Sequence, residues 1–343
     1  MLIRIKEDVL ADSRWFPILD VVLLYVEDGR HRFDIGSFQD LKNNSWLKAR
    51  PRYFSDLVEQ SLRSQSGGGM ARDSGVIIDS TAPHEGVIEG EFTKLNPRNC
   101  LEFLSQPFHV LVENEWFDGA FLLWMALAVK RPKFVEAYRS GRFAFRHAGG
   151  KDSLVRSAQV LSSGVWPSPH GKRKKAMKLW SCAVLDNDSR WPGDNPNEKI
   201  VEDLGKHTSF THQLKRRSIE SYIPRSSLIR FDDSPGFCAK VDALFQLKDI
   251  QRRHFHMKNG FRKKGVDSLI RAEHEALMDP QEVDFFADTP DEVWCQLLGG
   301  LGRNLSGIFC NSDMRPTSND TKQMAESDVD EIRSLIAAIE ERI

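Results

Sequence analysis

Between residues 107 and 225, short apolar runs alternate with helical stretches. FHVLVE reads as a buried strand, and DGAFLLWMALAVKR as a helix apolar nearly all round. RFAFRHAGG reads as a strand running into a glycine turn, KDSLVRSAQVLSS as a helix, and LWSCAVLDND as the next strand. SFTHQLKRRSIESYIP reads as a further strand that stops before Pro224. Strands alternating with helices predict a parallel sheet with helices on its faces. In such sheets ligands gather beyond the carboxyl ends of the strands.

The flanking segments read differently. In residues 1–100, WFPILDVVLLYVEDG and HRFDIGSF read as strands joined by a turn at Asp28-Gly29. PRYFSDLVEQSLRSQ reads as a helix, and GVIIDS and GVIEGEF as short strands. This predicts an N-terminal α+β region of unassigned role. Residues 226–310 read as mainly helical. Residues 311–343 read as a polar linker, NSDMRPTSNDTKQMAESD, followed by a helix with Ile332, Leu335, Ile336, Ile339 and Ile343 on one face.

Composition narrows the class. The chain is 40% hydrophobic and 28% charged, as expected for a soluble globular protein. Its formal net charge is -1, so any footprint for a polyanion must be local. The longest apolar run, GAFLLWMALAV, is too short to span a bilayer. The charged start MLIRIKEDVL is unlike a secretory signal. Five scattered cysteines without a CxxC pair read as reduced thiols, so a cytoplasmic protein is expected.

The chemistry lies at the strand ends. Asp186 and Asp188 follow an apolar strand at i, i+2 and therefore point the same way. Two like charges so close are expected to share a cation, and oxygen ligands suit Mg²⁺ or Mn²⁺. A solvated turn capped by Asp188 is the alternative. Glu113 ends the first strand of the alternating region and Asp118 opens the following helix; a strand-end surface acid and a helix cap are their plainer readings. Ser218 and Glu220 repeat the i, i+2 spacing, with an ion pair to Arg216 or Arg217 as the alternative. No GxxxxGK[ST] motif is present.

In this order the motifs LVEN, HAGGKD, LDND and SIE resemble the TOPRIM domain. More narrowly they resemble the nuclease domain of the OLD (overcoming lysogenization defect) family of bacterial defence nucleases. Asn114 stands where that family has a glycine. The resemblance covers residues 107–225 and implies a TOPRIM-like Rossmannoid α/β fold. It implies a metal-dependent endonuclease or nickase using two Mg²⁺ or Mn²⁺ ions, in antiviral defence. Glu113 would be a ligand or general acid/base, Asp186 and Asp188 ligands of one ion, and Asp118 and Glu220 ligands of the other. Ser218 would support them, and a distant catalytic lysine is assigned to Lys258. A glycosyltransferase DxD would leave the acid-tipped first strand unexplained. A non-catalytic TOPRIM-like binding module and an RNA-processing TOPRIM nuclease are the alternatives.

Basic clusters supply a phosphate-facing side. Lys172, Arg173, Lys174 and Lys175 precede the DxD strand; Arg216 and Arg217 precede the SxE motif; Arg252, Arg253, Arg262 and Lys263 are interleaved with aromatics. DNA is the first expected partner and RNA the second. The family's ATPase domain is not in this sequence, so a separately encoded ATPase or sensor protein, or a homodimer formed through the terminal helix, is expected. No membrane partner is expected.

Overall fold

The structure, a computed structural model, describes residues 2–33, 44–65, 75–84, 86–90, 92–163 and 177–343. The coarse α/β class holds: helices surround two sheets in which parallel pairing dominates. The first sheet contains β1 (Leu2–Ile5), β2 (Arg32–Phe33), β3 (Gly75–Ile78), β4 (Val87–Glu89) and β5 (Phe92–Leu95) in the order β2-β1-β3-β5-β4. Only β4 runs antiparallel to its neighbour, so this region is a mostly parallel α/β layer rather than the expected α+β arrangement.

WFPILDVVLLYVEDG, expected as a strand, is instead the helix Phe16–Glu27. Its buried residues Phe16, Leu19, Val22, Leu23 and Val26 recur at helical spacing. Pro17 sits in the first turn, where its missing N–H costs nothing. A continuous apolar run looks alike in a buried strand and a buried helix, and here length decides for the helix.

The second sheet carries the site. It consists of β6 (Phe108–Val112), β7 (Phe143–His147), β8 (Ser181–Leu185) and β9 (Phe210–Gln213), all parallel, in the order β7-β6-β8-β9. Every residue of β6 and β8 is buried, as central parallel strands covered on both faces require. From β6 the chain crosses to β7 on one side, then returns past β6 to β8 on the other. The carboxyl ends of β6 and β8 therefore flank a topological switch point, where a crevice opens in this class of sheet.

The C-terminal region closes onto this sheet. One continuous core joins Val110, Phe121 and Val184 of the sheet layer to Leu244, Trp294, Ile332 and Ile336. Trp124 donates from Nε1 to the Met314 carbonyl at 2.7 Å, and Phe121 meets Phe309 edge-on at 5.2 Å between ring centres. Residues 311–328, expected as a linker, are folded: the helix Ser318–Gln323 has a full Thr317–Asp320 capping box. The terminal helix Glu326–Glu340 buries Val329, Ile332, Leu335, Ile336 and Ile339 in the chain's own core, so that stripe does not face another chain. Among the described residues no helix is long and apolar enough to cross a membrane.

Candidate metal centre

Three loops and one distant turn meet above the switch point. Glu113 directly follows β6, and its neighbour Asn114 opens the helix Phe117–Ala128. Asn114 Oδ1 accepts from the N–H groups of Trp116 and Phe117, while Asp118 Oδ2 accepts from Asn114 N–H at 2.9 Å. Asp118 therefore does not cap the helix: it lies within the first turn, and its bond back to Asn114 holds its carboxyl beside Glu113. The asparagine in place of glycine supplies the cap.

After β7 the chain turns through Gly149 and Gly150, both at positive φ, into the helix Lys151–Ser163. This turn delivers Lys151 into the acids. Its Nζ lies 3.8 Å from Glu113 Oε1 and is paired with Asp188 Oδ2. Lys151 escaped the sequence reading although HAGGKD was marked as the glycine turn; a lysine opening a helix at a strand's carboxyl end was the available signal.

Beyond β8, Asp186 Oδ1 accepts from Ile219 N–H at 3.0 Å. Asp188 adopts the left-handed backbone conformation, φ 58°, and its N–H donates to Arg217 O at 2.8 Å. Asn197, almost fully buried, donates to the carbonyls of Asp186 and Asn187 at 2.8 and 2.9 Å and braces the loop. No sequence motif announced that role. Ser189 Oγ meets His254 Nδ1 at 2.8 Å, tying the loop to the helix Asp249–His254.

Glu220 does not sit on a strand. β9 ends at Gln213, and Glu220 lies in the 3-10 turn Ile219–Tyr222, with Ser218 just before it in extended conformation. The turn is held from behind, where Tyr222 donates from its hydroxyl to Glu331 at 2.7 Å. Lys258 Nζ stands 2.9 Å from Glu220 Oε1. The Lys258 loop is pinned because Gly260 and Gly300 cross back to back: a Cβ on Gly260 would lie 1.8 Å from Leu297 O. Leu301 N–H also donates to Met257 O at 2.8 Å.

The electrostatics follow from this crowding. Loss of water pushes the Asp186 carboxyl well above the usual carboxylate range, and the charges of Asp118, Glu220 and Glu113 add to the push. Asp118 is raised to about 6, first by desolvation and then by Glu220. Glu113 is raised by desolvation and by Asp118, against the pull of Lys151 and Lys258. Desolvation lowers Lys151. Lys258 is raised: desolvation would lower it, but Glu220 outweighs that effect.

The chemistry of these residues, though not their present spacing, suits a hard divalent cation. Among the described residues, Glu113 Oε1 and both carboxylate oxygens of Glu220 are buried, and the positive charge beside them is that of the Lys151 and Lys258 ammoniums at 3.8 and 2.9 Å. Buried carboxylate oxygens in this condition call for positive charge. An all-oxygen donor set is the one Mg²⁺ or Mn²⁺ takes. Among the described residues no three His, Cys, Asp or Glu side chains stand as a closed ligand set; two lysine ammoniums stand between the acids.

The basic residues divide. Lys172, Arg173, Lys174 and Lys175 lie outside the described residues. Arg216 is a correction: its side chain is 7% exposed and committed to Asp328 at 2.6 Å, so it braces the fold and faces no phosphate. Arg217 is half-buried and donates to His254 O at 3.0 Å. Arg252 and Arg253 pair with Asp249 at 3.1 and 2.9 Å, and Lys263 pairs with Glu282 at 3.1 Å. Arg262 is exposed. No family model, no curated protein and no solved structure matches this chain.

Proposed function

We propose that this chain is a metal-dependent nuclease with a TOPRIM-like catalytic centre. The observation that carries this reading is the convergence of Glu113, Asp118, Asp186, Asp188 and Glu220, with Lys151 and Lys258, at the switch point of one parallel sheet. An ordinary fold gains nothing by desolvating that many carboxylates together, because each raises the cost of ionising its neighbours.

Two bound Mg²⁺ or Mn²⁺ ions would supply charge stabilisation and an activated water for in-line attack on a phosphodiester. Asp186 and Asp188 would hold one ion, and Asp118 and Glu220 the other, with Glu113 between the two groups. Glu113, whose carboxyl is raised above the usual carboxylate range by desolvation and by Asp118, would hold or release a proton in the reaction. Lys258 and Lys151 would turn from the acids to the phosphate oxygens once cations balance the carboxylates, and steady the charge that builds there. Exposed Arg262 would attract the strand by its charge, and the basic sequence Lys172, Arg173, Lys174 and Lys175 would add to that attraction.

A second reading has one observation in its favour. Lys151 pairs with Asp188 and Lys258 with Glu220, so the lysines themselves balance part of the acid charge. That arrangement suits a metal-free TOPRIM-like module that binds nucleic acid or a protein without cutting. Calorimetric titration with Mn²⁺ separates the two. The nuclease reading expects saturable binding that Asp186→Asn and Asp188→Asn weaken about tenfold or more. No binding, or binding indifferent to both variants, favours the module.

A further inference from the structure

The two loops that carry the strand-end acids each carry a tryptophan as well. Trp116 lies between Glu113 and Asp118, and it is 67% exposed. Trp191 lies three positions after Asp188, with the Arg190 guanidinium 4.3 Å from its ring centre. Three residues of chain reach at most about 11 Å, so the Cα of each tryptophan stands within that distance of the Cα of an acid. β6 and β8, which launch the two loops, are hydrogen-bonded neighbours. Two tryptophans therefore sit on the adjacent loops that carry the acids.

Neither ring is explained by the core. Among the described residues Trp116 belongs to no apolar cluster, and the backbone around it is fixed by Asn114 rather than by the side chain. The Arg190 side chain, 39% exposed and paired with Asp194 at 3.1 Å, lies over one face of Trp191, which leaves the opposite face of that ring as the one a base would meet. Flat aromatic faces beside a phosphate-handling centre are what a nucleobase stacks on, at about 1–3 kcal/mol per base. A base can offer its face only if it has left the duplex stack.

We infer that Trp116 and Trp191 are base-stacking platforms, and that this site takes a nucleic-acid strand with unpaired bases next to the phosphate it handles. The inference rests on the nuclease reading for its geometry, not for its test. Single-stranded DNA and single-stranded RNA share the recognising chemistry, and the arms of the experiment separate them.

The test is fluorescence anisotropy of the full chain with labelled oligothymidine or oligouridine of about 12 nucleotides, and with a duplex of equal length. Ca²⁺ serves as the oxygen-seeking cation in place of Mg²⁺. Expected is tighter binding of a single strand than of duplex. Trp116→Ala should weaken single-strand binding about 5- to 100-fold, Trp116→Phe should restore most of it, and Trp191→Ala should weaken it further. Quenching of tryptophan fluorescence on binding should be smaller in Trp116→Phe. The ratio of oligothymidine to oligouridine affinity identifies the strand. Wild-type affinity in both alanine variants, or preference for duplex, overturns the inference. If stacking is lost in the variants yet no divalent cation supports cleavage, the platforms stand and the nuclease reading falls. Cleavage with unaltered binding in the variants overturns the platforms alone.

Discussion

Lys258 Nζ stands 2.9 Å from Glu220 Oε1, and the lysine side chain is 40% exposed while that of the glutamate is fully buried. The pair is asymmetric: the lysine can reach water and the carboxylate cannot. Removing the lysine therefore strands a buried acid. We expect Lys258→Met to lower stability by about 1–3 kcal/mol, the upper range for buried pairs being softened by the lysine's exposure. Glu220→Gln on top of it should recover much of the loss, with a coupling of about 1 kcal/mol or more. Urea denaturation of the two single variants and the double variant checks this; simple additivity would show that the two groups do not interact.

Asp118 gives a pH dependence of known sign. Its carboxyl is raised to about 6 from an ordinary value of 3.8. The folded chain then binds that proton more tightly than the unfolded chain, so stability falls as pH rises from about 4 through about 6. In EDTA the melting temperature should decline across that window, and Asp118→Asn should flatten the decline. Saturating Mn²⁺ should reverse it at neutral pH, by about 2.7 kcal/mol at a hundred times Kd.

Asp320 works in the opposite sense. Its carboxylate is fully buried and accepts from Ser226 and Ser227 hydroxyls at 2.6 and 2.8 Å and from Thr317 N–H at 2.7 Å. Burial alone would raise it, but these hydrogen bonds outweigh burial and hold it at about 2. Its contribution, about 2 kcal/mol, is present above about pH 4 and is lost as pH falls through about 2. Asp320→Asn should be destabilised by roughly that amount at neutral pH, with the gap to the natural chain closing below about pH 4. A constant gap down to pH 2 would contradict this assignment.

These cases show what was legible in the sequence. The alternation of strands and helices over 107–225 and the acids at the carboxyl ends of β6 and β8 could be read from period and position alone. Asp320 could not: SNDTKQ is a polar run, and its meaning depends on Ser226 and Ser227, which only the fold brings near. Lys151 is hidden in the sequence because its acid partners come from other loops, and Asn197 because it bonds the Asp186 and Asn187 carbonyls at the far end of its own loop, contacts that only the folded loop makes. The Phe16–Glu27 helix was read as a strand because β-branched and leucine residues run together without a polar face. Glu220 was placed on a strand, whereas the Tyr222–Glu331 bond behind it holds a 3-10 turn.

The terminal helix gives a prediction about assembly. Ile336 is fully buried against the core that also holds Phe121 and Trp294. Ile336→Ala should cost about 2–5 kcal/mol and leave the oligomeric state by light scattering as it was. Chains ending before residue 326 should fail to fold. A stable truncated chain with a changed mass would show that the helix serves assembly instead.

On the proposed function, the acid cluster cuts phosphodiester bonds with the help of divalent cations. The most direct measurement is incubation of the purified chain with supercoiled plasmid and, separately, structured RNA, in Mg²⁺, in Mn²⁺ and in excess EDTA. Nicking or cleavage of at least one substrate is expected in a divalent cation and none in EDTA. Asp186→Asn and Asp188→Asn should each lose about 100-fold or more of the rate while melting no lower than the natural chain. Cleavage that persists in EDTA, or at full rate in the Asp186→Asn/Asp188→Asn double variant, would contradict it.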